Sequence, residues 1–71
     1  NKAFAETVQE ALGKIPDKYR EVITLKIWGE QTFAQIASQL GESPNTVASR
    51  YRYGLENLKR LLGEKRKELV A

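Results

Sequence analysis

The chain has no cysteine and no histidine. Disulfides, zinc sites built from Cys or His, and catalysis by a Cys nucleophile or a His base are therefore excluded. Long apolar runs are missing too. The longest uninterrupted ones are two or three residues, as at Leu61-Leu62, so neither a transmembrane span nor a signal peptide is expected. No period-two run of β-branched residues occurs, which removes strands from the reading. There is no glycine-rich loop to cradle phosphate, and no close pair of acidic residues set in an apolar stretch. No enzyme and no cofactor are therefore expected. The lack of cysteine fits a reducing cytosol, and a cytoplasmic location is the expectation.

What is present suits a small globular unit. The chain has 71 residues, which reads as a single domain over residues 1–71, near the lower size limit for a chain without staples. Hydrophobic residues make up 41%, enough for a small core, and charged residues 30%, a globular rather than a disordered balance. The net charge of +3 is unevenly spread. Residues 1–42 carry five basic and six acidic side chains, whereas residues 43–71 carry seven basic and three acidic. The basic half fits either a polyanion partner or a solvated helix face.

The two prolines, Pro16 and Pro44, both stand where a helix would begin. Four helices are predicted. The first runs from about Lys2 to Leu12 with Phe4, Val8, Ala11 and Leu12 on one face, and Gly13 ends it. The second begins at Pro16, with Asp17 complementing the positive helix end. Tyr19, Val22, Ile23, Ile27 and Trp28 form its inward stripe, and Gly29-Glu30-Gln31 breaks it. Thr32 caps the third helix with Gln35 at capping-box spacing; Phe33, Ile36, Ala37 and Leu40 point inward and Gly41 closes it. Ser43 caps the fourth helix and Pro44 takes its first position. Val47, Tyr51, Leu55, Leu58 and Leu62 continue the stripe, which Leu69 extends. Gly54 and Gly63 weaken this helix by roughly 1 kcal/mol each relative to Ala, so that its end past Gly63 is expected to fray or bend.

Residues 32–62 have the marks of a helix-turn-helix. Ala37 is small where a second helix crosses the first. Gly41, four residues on, takes a left-handed backbone at no steric cost, and Val47, six residues beyond, plugs the crossing. In such a unit the second helix enters the major groove and its N-terminal residues meet base edges. With Val47, Tyr51 and Leu55 inward, Asn45, Ala48, Ser49 and Arg52 face outward. Asn suits adenine and Arg suits guanine, while Ser43, Thr46 and Arg50 flank them as candidate phosphate contacts. An ordinary α-hairpin explains the apolar stripe equally well, but does not require Ala37, Gly41 and Val47 at that spacing.

Taken together, "IPDKYREV", "TFAQIASQLGESPNTVASR" and "LENLKRLL" resemble region 4 of bacterial RNA polymerase sigma factors, especially short sigma-70 members of the extracytoplasmic-function (ECF) type. The likeness covers residues 15–62. It implies an all-α, four-helix domain, winged-helix-like in class but without the wing, that reads the promoter −35 element. It also implies docking on the β flap of the RNA polymerase core, and an anti-sigma factor as a further partner. No membrane partner is implied. The region that melts the −10 element is missing, so the resemblance implies a fragment of a longer protein, in keeping with Asn1 as first residue. Gln35 stands where the family usually has Glu, Tyr51 and Tyr53 replace aliphatic or basic residues, and Gly54 replaces Ala. Tyr53 is a candidate to donate its hydroxyl to a phosphate; the alternative has Tyr51 in the core and Tyr53 along the surface. Trp28, the lone tryptophan, is expected in the core, or else beside Ile27 on a polymerase or anti-sigma surface. Lys65-Arg66-Lys67 reads as a solvated tail. Two further readings stay open: a LuxR-type helix-turn-helix regulator and a protein-interaction bundle that does not bind DNA.

Overall fold

The computed structural model describes the backbone of residues 2–70 and the side chains of residues 2–64. The expectations for Lys65-Arg66-Lys67 and Leu69 concern side chains outside that range. The element order is α1 (Lys2–Lys14), α2 (Asp17–Ile27), α3 (Phe33–Leu40) and α4 (Pro44–Val70), and the described residues include no strand. The fold is all-α with four helices, as expected.

Local chemistry sets most of the boundaries. α1 runs through Gly13 to Lys14 rather than ending at Gly13. It stops because Ile15 precedes Pro16, and the residue before a proline is held away from the helical region. Ile15 is itself buried. Arg20 donates to the Leu12 carbonyl at 3.3 Å and pairs with Asp17, tying the end of α1 to the start of α2. Pro16 occupies the N-cap of α2 rather than its first turn. Thr32 caps α3 with a complete capping box: the Gln35 amide donates to Thr32 Oγ1 at 3.1 Å and the Thr32 amide donates to Gln35 Oε1 at 2.8 Å. Gln at this position thus serves the motif as Glu would. α3 ends in a Schellman turn. Gly41 has φ 69°, and the Glu42 amide donates to the Ala37 carbonyl at 2.9 Å.

α4 is the spine. Its 27 residues span about 40 Å at 1.5 Å per residue, which accounts for most of the 43 Å long axis. Gly63 does not end it. Each of the other helices packs on α4, and the core has two parts. One joins Ala11, Leu12, Ile15, Ile23 and Leu58; the other joins Val22, Ile36, Ala37 and Val47. Neighbouring residues of α2, Val22 and Ile23, serve different parts, and Tyr51 packs against both.

Two residues at the end of α2 and its C-cap depart from expectation. Ile27 and Trp28 are 45% and 52% exposed rather than buried. The reason lies in where α2 meets α4. A Cβ on Gly54 would stand 2.7 Å from Ile23 Cδ1 and 3.1 Å from Tyr19 Cβ, so the closest approach falls on the first two turns of α2. Ile27 and Trp28 lie a turn beyond it. On α1, Phe4 shares a face with Val8, Ala11 and Leu12 yet is 65% exposed.

The two α4 glycines therefore differ in kind. Gly54 is buried against Ile23 and Tyr19, while nothing lies within 4 Å of a Cβ at Gly63. Gly63→Ala is predicted to stabilise the fold by up to about 1 kcal/mol through helix propensity. Gly54→Val is predicted to destabilise it by about 1–3 kcal/mol through overpacking. Urea unfolding of both variants checks this, and an unaffected Gly54→Val midpoint would remove the close-approach argument.

Candidate nucleic-acid interface

The turn of the helix-turn-helix has the geometry its residues ask for. Ala37 is 4% exposed and Val47 fully buried, so the crossing is as tight as a small and a β-branched residue allow. Ser43 Oγ accepts the Thr46 amide at 3.1 Å and donates to Thr46 Oγ1 at 3.0 Å. This caps α4, and Pro44 follows at the first helical position, where no amide is needed. Burying Val47 on one side of α4 turns the opposite side of its first turns outward.

The candidate residues then separate into groups. Asn45 and Arg52 are exposed, and Ser49 is half-buried between them on the outward stripe. Ala48 is half-buried on one flank, adding a methyl and no bulk. On the other flank, Asn45, Thr46, Ser49, Arg50 and Tyr53 line a shallow groove. Lys18 and Tyr19 from the start of α2 form its far wall. Sequence spacing gave no signal for these two, because α2 and α4 are brought together only by tertiary packing. Ser43 lies apart, engaged in the cap.

The two arginines differ in electrostatic state. Arg50 donates to Glu42 Oε1 at 3.2 Å, across the turn. Arg52 makes no ion pair among the described residues; its guanidinium lies 5.2 Å from the Tyr53 ring centroid. That contact holds the side chain along the helix surface while leaving its donors outward. Tyr53 is 48% exposed, with its ring 6.4 Å from that of Tyr19. Tyr51 instead turns inward and meets Phe33 edge-on at 5.4 Å. Of the two placements considered for these tyrosines, the structure thus has Tyr51 against the core and Tyr53 along the surface. The outward face offers an amide, a hydroxyl, a methyl and a guanidinium within two turns. These are the donor and acceptor types that read base edges. No group of three or more acidic side chains gathers to hold a metal ion among the described residues, and no helix there is long and apolar enough to cross a membrane.

Comparison with known proteins gives a consistent answer. Residues 5–58 match the family described as "Sigma-70, region 4". The chain is similar to the ECF RNA polymerase sigma factor SigW of Bacillus subtilis (strain 168), 38% identical over 59 residues that make up 83% of this chain and 32% of that protein. It is also similar to the RNA polymerase sigma factor SigO of the same organism, 33% identical over 58 residues, 82% of this chain and 33% of that protein. The chain thus spans about a third of the length of these curated relatives. No solved structure matches it.

Because the Ser43 hydroxyl closes the α4 cap, Ser43→Ala is predicted to lower stability by about 1 kcal/mol. For a unit of this size that is roughly 4–8 °C in Tm. Ser43→Asp is predicted to keep the cap and the Tm. Thermal unfolding followed by circular dichroism decides it, and an unchanged Tm for Ser43→Ala would show that the cap contributes nothing.

Proposed function

Since the chain belongs to the sigma-70 region 4 family, we propose that it reads the −35 element of bacterial promoters and places RNA polymerase there for transcription initiation. It acts as one domain over residues 1–71 of a longer, cytoplasmic sigma factor. The observation that carries this reading is the face of α4 opposite Val47, where Asn45, Ser49 and Arg52 stand outward behind a left-handed turn at Gly41. Asn45 and Arg52 read bases, and Ala48 lets the helix backbone come close to the groove floor. Thr46 and Tyr53 take phosphates, with Ser43 supporting them through the cap and Arg50 held in the turn by Glu42. Chemistry on nucleotides belongs to the polymerase.

Docking on the polymerase core, through the β flap, uses a different surface. Ile27 and Trp28 are large, exposed and adjacent, and Trp28 borders a depression with Leu12 and Arg20 between α1 and α2. Exposed aromatics of this kind anchor protein partners. The same surface serves an anti-sigma factor, whose binding then excludes polymerase.

Two experiments test the reading. In anisotropy titrations at low salt against duplexes with single-position changes in a −35 element, the unaltered chain is expected to discriminate among sequences. Arg52→Ala is expected to lose about 1–3 kcal/mol on the preferred duplex and to lose preference at one position. An equal loss on every duplex would make Arg52 a phosphate contact, and absence of DNA binding would leave a protein-interaction bundle. In a titration with the β flap fragment, Trp28→Ala is expected to weaken binding at least tenfold, about 1.4 kcal/mol, with DNA affinity intact. Unchanged flap affinity would move the docking surface elsewhere.

A further inference from the structure

We infer that Lys18, outside the helix-turn-helix, anchors a DNA backbone phosphate and so fixes how α4 sits in the groove; the inference rests on the DNA-binding reading of α4. The first observation is position. Lys18 and Tyr19 form the far wall of the groove whose near wall is Asn45, Thr46, Ser49, Arg50 and Tyr53. A helix with its side chains is about 10–12 Å across, close to the roughly 12 Å width of the major groove. Phosphates must therefore line both flanks of an inserted α4. The α2 wall closes one of these flanks.

The second observation is charge. On the α2 flank, the α4 cation Arg50 is already paired with Glu42 at 3.2 Å. Within α2, Arg20 is engaged by Asp17 and the Leu12 carbonyl, and Lys26, over the Phe33 ring at 4.8 Å, does not line this groove. Lys18 makes no ion pair among the described residues and is exposed. Of the nearby acids, Asp17 is paired with Arg20 and Glu21 borders a separate depression with Gln39. Lys18 is therefore the α2 cation that lines this groove and makes no ion pair among the described residues.

The third observation is pre-positioning. The Lys18 ammonium lies 5.1 Å from the centroid of the Tyr19 ring. Tyr19 is in turn fixed by Tyr53 at 6.4 Å and by the close approach at Gly54. The ring beneath the charge is thus set against α4, which limits the further ordering that DNA contact requires.

The test is a salt titration of DNA binding by the 71-residue chain, with Lys18→Gln, Lys18→Arg and Lys26→Gln, on a −35 duplex and a scrambled duplex. Lys18→Gln is expected to weaken binding to both duplexes by the same factor, roughly 3- to 10-fold at low salt. The slope of log K against log salt should fall by about 0.9, the value for one phosphate contact. Lys18→Arg is expected to restore both affinity and slope, and Lys26→Gln to change neither. An unchanged slope for Lys18→Gln would overturn the inference, as would a loss confined to one duplex or an equal effect from Lys26→Gln. Failure of the unaltered chain to bind either duplex would instead remove the DNA reading on which it rests.

Discussion

The contact between α2 and α4 at Gly54 is where the rest of the architecture is decided. A side chain at this position would stand 2.7 Å from Ile23 Cδ1 and 3.1 Å from Tyr19 Cβ, so the two helices meet almost backbone to side chain. Three consequences follow. Ile23 reaches the cluster with α1 while Val22 reaches the cluster with α3, and one short helix ties the two halves of the core to one long one. Tyr19 comes beside Tyr53, which brings the start of α2 to the flank of the candidate DNA-reading face. The last turn of α2 overshoots the crossing, leaving Ile27 and Trp28 outside.

Much of this was legible in the sequence because it depends on neighbours in the chain. The Thr32–Gln35 capping box, the Ser43 cap with Pro44 behind it, and the left-handed turn at Gly41 each involve groups a few residues apart. Each formed as its residue types dictate. Ala37 and Val47 also followed, because the spacing of a helix-turn-helix fixes what can stand at its crossing. The rest depended on where helices meet. Gly54 reads locally as a weak point in a helix and is in fact a fitted contact. Trp28 reads as core from its size and is half exposed because its helix has passed its partner. Gly13 reads as a stop and lies within α1, since Pro16 was the stronger signal. Lys18 carried no motif, and only the packing of α2 on α4 places it beside residues some thirty positions away.

The candidate DNA face divides its polar groups between fold and recognition. Ser43 and Arg50 are satisfied within the turn, one by the helix cap and one by Glu42. Asn45 and Arg52 remain outward, with Arg52 steadied by the Tyr53 ring. A frame whose turn satisfies its own polar groups lets the outward side chains vary at little cost to stability. The exposed Ile27 and Trp28 stand at the C-terminal end and C-cap of α2, whereas it is the first turn of α2 that borders the α4 groove. The two candidate surfaces are therefore separate.

The most direct test of this account is a map of backbone amide shifts as the chain is titrated with a −35 duplex. The account predicts the largest changes across residues 43–53, with a second set at Lys18 and Tyr19, and little movement in α1 or at Trp28. Changes centred on α1 and Trp28, with the first turns of α4 unmoved, would contradict it.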